Sequence, residues 1–123
     1  MRQTLSNIIT LIEATAAAEH IPKFKAWHAV LATGKHQELN WVKFDPGSVY
    51  PVHSHPYEQT SVVIQGRMRL KVGNEVREIG PGDMWFVPPE MPHGGEVLGD
   101  EPLVFIDIYS PPSGGDDRAV TYY

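Results

Sequence analysis

Gly47-Ser48-Val49-Tyr50-Pro51-Val52-His53-Ser54-His55-Pro56-Tyr57-Glu58-Gln59 decides how this chain is read. In a β-strand, residues two apart project to the same face, so His53 and His55 aim two imidazoles at one point. Gln59 lies four positions further on and keeps that parity, with Pro56 placing a kink between. His93 stands apart, behind the rigid connection Pro88-Pro89-Glu90-Met91-Pro92, which sets its side chain at a fixed angle against a neighbouring strand. Three imidazoles and one amide oxygen suit a single divalent transition ion: Zn, Ni, Mn, Fe or Co. Calcium and magnesium prefer oxygen cages. The chain has no cysteine, so thiolate ligands and disulfides are excluded. His20, His28 and His36 show no such pattern and are read as ordinary histidines.

Outward from this stretch the chain reads as short strands rich in Val, Ile, Phe, Trp and Tyr. They are expected at Trp27–Ala32, Glu38–Phe44, Glu58–Gln65, Arg67–Val72, Glu75–Ile79, Met84–Val87 and Leu103–Tyr109. Gly73-Asn74 marks a tight hairpin and Gly80-Pro81-Gly82-Asp83 another turn. Strict alternation in Arg67-Met68-Arg69-Leu70-Lys71-Val72 puts three apolar side chains on one face. The three cations on the other face read as a solvated, edge-protecting surface. Eleven Gly and eleven Pro scattered between apolar runs fit frequent turns, and hence an all-β jelly roll. Ahead of the strands, Leu5, Ile8, Ile9 and Ile12 recur at helical spacing and predict an amphipathic helix that Pro22 ends. Asn7, Thr10 and Glu13 interrupt what a signal peptide would need as a continuous apolar core. The expectation is one domain over 1–123: helix and lead-in at 1–21, barrel at 27–110, and a tail at 111–123 whose Pro111–Asp117 part is a loop.

A length of 123 residues with 41% hydrophobic and 20% charged residues is that of one soluble globular domain. The net charge of -5 argues against nucleic acid, which is bound by clustered cations. No run of 18 apolar residues occurs, so no membrane helix is expected, and a cytoplasmic protein is the reading.

The spacing Gly47, His53, His55, Gln59 and Gly66, followed by Gly82, Pro88 and His93, resembles the two motifs of the cupin family over roughly residues 40 to 110. The resemblance implies a double-stranded β-helix, with these three histidines and the residue at 59 on a metal ion. Gln59 fills a slot usually held by Glu, with neighbouring Glu58 the second choice for that ligand; Glu90 stands where the second motif often has Gly, and Val97 where it often has Asn. With only neutral ligands the ion keeps its full charge, so the site should draw carboxylates or enolates.

Among cupins, His-Ser-His-Pro-x-Glu-Gln with Asp107-Ile108-Tyr109-Ser110-Pro111-Pro112 looks most like the small pectin- and alginate-degradation members. These open 4,5-unsaturated monouronates to linear ketouronates and carry an Asp-x-Phe-x-Pro-x-Arg tail. Asp107 matches the Asp, Tyr109 replaces the Phe, and Ser113 stands in the Arg position, leaving Arg118 as a substitute if the tail folds back. Strand parity puts Phe105, Asp107 and Tyr109 on one face and Val104, Ile106 and Ile108 on the other. Asp107 is thus a candidate catalytic residue, or alternatively a partner that orients a ligand histidine, or a solvent-facing acid. Tyr57, Tyr109 and Phe105 are expected to meet the substrate. Trp41, Trp85 and Phe86 suit a pocket wall or the core. The aliphatic face of the last strand needs a cover, from the helix or from a second subunit in a homodimer.

Three functions fit this reading. They are a non-redox enzyme acting on a small anionic sugar acid or keto/enol compound, a metal dioxygenase, and a non-catalytic binding or sensor barrel.

Overall fold

The computed structural model describes residues 6–113 and 119–123. Its elements run α1 Leu11–Ala17, β1 Glu19–Ile21, β2 Ala26–Thr33, β3 Glu38–Phe44, β4 Val49–Ser54, β5 Glu58–Gln65, β6 Arg67–Val72, β7 Glu75–Ile79, β8 Met84–Val87, β9 His93–Leu98, β10 Leu103–Ser110 and β11 Thr121–Tyr122. Two antiparallel sheets result, ordered β1-β2-β3-β10-β5-β8 and β11-β4-β9-β6-β7. Few sequence neighbours pair within a sheet, because successive strands cross between the sheets, as the jelly roll requires.

The alternation read in β6 sets its facing. Met68 and Leu70 are buried between the sheets, while Arg67 pairs with Glu78 at 3.2 Å and Arg69 with Glu96 at 2.6 Å on the outside. The cations do not guard an edge, since β6 lies between β9 and β7. Phe44, Tyr50, Val63, Met68, Val87 and Phe105 fill the space between the sheets. Phe105 is fully buried there, and its truncation to Ala would cost roughly 3–5 kcal/mol.

A second cluster lies behind the first sheet, where Ala14 of α1 packs with Ala29, Leu31, Trp41 and Val104. The helix therefore covers part of the outer face of β10. It is shorter than the periodicity predicts. Thr10 caps it in a capping box with Glu13, so it starts at Leu11, and Ile8 and Ile12 are exposed. A capping box fixes a helix start more sharply than apolar spacing does. Leu5 lies outside the described residues.

Gly66 turns the chain from β5 into β6 at φ +84°, and a Cβ there would sit 2.4 Å from the Pro102 carbonyl oxygen. Only glycine fits. Glu90 adopts φ +65° without that freedom, and its amide donates to the His55 carbonyl at 2.8 Å. The tail expectation needs correction at its far end: Thr121 and Tyr122 form β11, paired with Ser54 and His53 of β4. The β-branched and aromatic run Val120-Thr121-Tyr122-Tyr123 has strand propensity that the loop-like residues before it hide.

Candidate metal centre and its cavity

His53 comes from β4 in the second sheet, and Gln59 from β5 in the first. His55 lies in the crossing between them, and His93 opens β9 directly opposite His53. The shared parity of residues 53 to 59 therefore does not bring them together, because no single strand spans them. The crossing at Pro56 does, by folding the second half of the motif over the first. One ring nitrogen from each histidine falls within 4.8 Å of the others. All three rings and Gln59 are buried.

Each imidazole is anchored by the same device. His53 Nδ1 lies 2.7 Å from the Pro51 carbonyl, His55 Nδ1 2.9 Å from that of Tyr57, and His93 Nδ1 3.0 Å from that of Met91. A carbonyl only accepts, so every Nδ1 carries the proton and every Nε2 presents a lone pair. Gln59 Oε1 stands 3.0 Å from the Nε2 atoms of both His55 and His93. Its amide cannot be flipped, since Nε2 of Gln59 donates to Ser61 Oγ at 3.0 Å and to Asp107 Oδ1 at 3.1 Å. Lone pairs of neutral imidazoles and a carbonyl oxygen thus converge with no proton between them. A cation satisfies that arrangement, and the donor set fits a transition ion.

Burial favours the neutral rings that such an ion needs. It lowers the His93 pKa from 6.5 to about 3, aided by the neighbouring His53, and it lowers His53 as well. Asp107 is pushed the other way, from 3.8 to about 7 by burial, against the hydrogen bonds of Ser61, Tyr109 and Gln59.

Residues 40–109, more than half of the chain, match the Cupin domain family (Cupin_2). The chain belongs to the cupin family. It is 29% identical over 94 residues to the uncharacterized protein MJ1618 of Methanocaldococcus jannaschii, covering 76% of this cupin and 75% of that protein. To the oxalate decarboxylase OxdC of Bacillus subtilis it is 35% identical over 74 residues, which is 55% of this cupin and only 19% of the enzyme. Among solved structures, KdgF from Halomonas sp. superposes with a TM-score of 0.73 at 27% identity, over 82% of this cupin and 89% of that chain. A double-stranded β-helix protein from Klebsiella pneumoniae superposes with a TM-score of 0.77 at 22% identity, over 95% and 96% of the two chains, and shares the fold.

Beside the histidines this cupin holds a cavity of about 270 Å³. Tyr57 stacks on His55 with ring centroids 4.1 Å apart, and Tyr109 lies 4.8 Å from Tyr57 and reaches Asp107 Oδ2 at 3.3 Å. Phe105, Asp107 and Tyr109 line the cavity, on the face that strand parity gives them. Asp107 orients Gln59, not a histidine. Glu58 is exposed, on the side of β5 opposite the buried Gln59, so the structure does not bring it to the centre. Trp41 packs behind the first sheet, Phe86 is exposed outside, and Trp85 is in the core between the sheets. Ser113 lines the cavity, and Arg118 lies outside the described residues.

Sequence reasoning missed several residues of this site. Tyr50 packs against His53 and His93 at 5.1 and 6.0 Å. An irregularity in the β4–β9 pairing between Tyr50 and His53 breaks period two, which would have sent Tyr50 to the other face. Ser61 follows Gln59 by two and shares its face. Glu38 and Asn40 carried a readable signal: they share parity with Val42 and Phe44, placing two polar residues on a buried face. His28, read as ordinary, lines the cavity.

Proposed function

We propose that this cupin is a divalent-metal-dependent, non-redox enzyme acting on a small anionic sugar acid, with the opening of 4,5-unsaturated monouronates to linear ketouronates as its reaction. The observation that carries this reading is the convergence of three imidazole lone pairs and the Gln59 carbonyl oxygen, all uncharged, beside an aromatic-walled cavity. An ion bound by His53, His55, His93 and Gln59 would keep its charge and stabilise negative charge growing on a carboxylate and the oxygen next to it. Tyr57 and Tyr109 supply faces for a sugar ring. Asp107, with a carboxyl pushed up to about 7, holds or releases a proton in the neutral range. The resemblance of Asp107-Ile108-Tyr109-Ser110-Pro111 to the tail of the uronate-opening cupins supports this choice of substrate.

Metal-loaded protein should remove the ultraviolet absorbance of a 4,5-unsaturated galacturonate without consuming oxygen, and Asp107→Ala should abolish turnover while metal content stays unchanged. Oxygen uptake, or full turnover by Asp107→Ala, would overturn the reading. We also infer a homodimer built on the outer face of the first sheet. There Met84 pairs with Val62, and Met84, Phe86 and Ile64 are 73%, 52% and 48% exposed, an apolar surface of the kind a second copy covers. A monomer by light scattering would count against it.

A further inference from the structure

Behind His28 and Ser113, which line the cavity, lies a buried polar series that the proposed function does not use. Glu38 of β3 is buried to 1% exposure, and Asn40, on the same face, to 0%. Ser113 Oγ donates to the Glu38 carboxyl at 2.9 and 3.0 Å, and Asn40 Nδ2 donates to Glu38 Oε2 at 3.1 Å. That second bond fixes the Asn40 amide, because only its nitrogen can donate. Its Oδ1 therefore faces His28 Nε2, 2.8 Å away, and that ring nitrogen must carry the proton. The series runs from a buried carboxyl through an amide to an imidazole lining the cavity. Burying Glu38 and Asn40 under a surface histidine with no task would be a poor use of two polar groups, since each must be fully hydrogen-bonded to be tolerated.

The arrangement has the logic of a catalytic triad. An acidic group fixes the tautomer of a histidine through its neighbour and stabilises the imidazolium when Nδ1 takes a proton. His28 stands on the wall of the first sheet and His53 on that of the second, so a substrate in the cavity meets the metal centre on one side and His28 on the other.

We propose that His28 is a second proton-transfer residue of this cavity, acting on the substrate opposite the three-histidine centre, with Asn40 and Glu38 as its positioning residues. This rests on the uronate reading above. In that reaction the anomeric hydroxyl passes its proton to His28 Nδ1, and the bond from C1 to the ring oxygen breaks with its electron pair on oxygen. C1 becomes the aldehyde. The enolate at C5 takes one proton at C4 from solvent, and His28 returns its own to solvent, so the reaction is an isomerisation that needs no co-reactant. Among the described residues, the ionisable groups around His28 and its cavity include Glu38 through Asn40, Asp107 and Tyr109 from β10, His53 and His55 from the metal centre, Tyr50, Tyr57, and Tyr122 from β11. Glu19 of β1 pairs with His28 along the backbone and is exposed.

The experiment uses zinc-loaded full-length protein. His28→Gln should lower kcat on the unsaturated uronate by about 100-fold, with zinc content and Tm unchanged. Glu38→Gln should move the acidic limb of the kcat profile down by about one pH unit, because it removes the negative charge that favours the imidazolium. A merely structural Glu38 would leave that limb in place, and an unmoved limb or a wild-type kcat in His28→Gln overturns the proposal. A second arm needs no turnover and no variant: long-range proton–nitrogen spectra of the wild-type imidazoles, recorded with and without D-galacturonate as probe. His28 should show the Nε2–H tautomer and shift when the probe is added. If that holds while the unsaturated uronate is not turned over, the uronate reading falls and the placement of His28 stands. An Nδ1–H tautomer, or a signal that ignores the probe, overturns the role of His28.

Discussion

His53 and His93 are direct cross-strand partners of β4 and β9, with ring centroids 4.2 Å apart. Two buried imidazoles at that distance cannot both be charged, and each is held in the tautomer that points its lone pair inward. The pair is stable only as neutral rings, and its natural partner is a cation.

Metal removal should therefore cost stability. Zinc at a thousandfold excess over its Kd contributes about 4 kcal/mol to a folded state that binds it. For a chain of this size that corresponds to a Tm roughly 10–20 °C above that of chelated protein. Differential scanning calorimetry with zinc and with a chelator measures it. Coincident melting curves would speak against a metal centre at these histidines.

Gln59→Glu should separate affinity for the ion from affinity for the ligand. The new carboxylate would tighten zinc binding, and it would offset the charge that attracts anions, weakening D-galacturonate binding on the order of tenfold, or about 1.4 kcal/mol. It would also lose the donation to Asp107 that lies at 3.1 Å in the wild type, pushing the Asp107 carboxyl further up. Calorimetric titration of each ligand in turn reads both effects. Tighter binding of the sugar acid would contradict the neutral-ligand argument.

Buried groups set opposing pH slopes in the chelated protein. His93, lowered from 6.5 to about 3, refuses a proton that the unfolded chain accepts, so its stability is present above 6.5 and lost on acidification. Asp107, raised from 3.8 to about 7, keeps a proton that the unfolded chain releases, so its stability is present below 3.8 and lost as pH rises through about 7. Between 3.8 and 6.5 the Asp107 slope opposes that of His93, to which His53, also lowered by burial, adds. Asp107→Asn removes one of them, and its Tm in chelator should fall more steeply than that of wild type as pH drops through this window. Parallel curves would mean that the two groups are not in the states described.

Glu90 occupies a left-handed backbone conformation at φ +65° where glycine is at ease. Glu90→Gly should relieve about 1 kcal/mol of backbone cost and give part of it back in unfolded-chain entropy, for a net Tm gain of a few degrees. The amide that holds the His55 carbonyl is retained, so zinc content should not change. A lower Tm would show that the Glu90 side chain has a stabilising contact.

Much of the fold was legible because turn chemistry and alternation are local. Gly73-Asn74 closes the β6–β7 hairpin, and Met68 and Leu70 face inward as their spacing says. The three histidines were legible from motif spacing, although the parity argument that joined them to Gln59 fails at the sheet crossing. What stayed hidden depends on contacts distant in sequence. Ser61 and Asp107 meet only because β5 and β10 pair, and His28 reaches Asn40 only because β2 and β3 do. The start of α1 was misplaced because apolar spacing alone carries no cap information.

The pairing of Tyr122 with His53 has a consequence for how the centre comes into being. A nascent chain that has emerged as far as His93 already carries all four donors, yet β4 still lacks its outer neighbour. Strand β11 adds that neighbour after nearly seventy further residues have followed His53 out of the ribosome. Until then His53 lies on an open sheet edge, and an ion caught early would sit in a half-built site. Assembly of the centre is in this sense timed by synthesis, and Tyr123 helps to hold the latch, its hydroxyl meeting Ser54 Oγ at 2.9 Å.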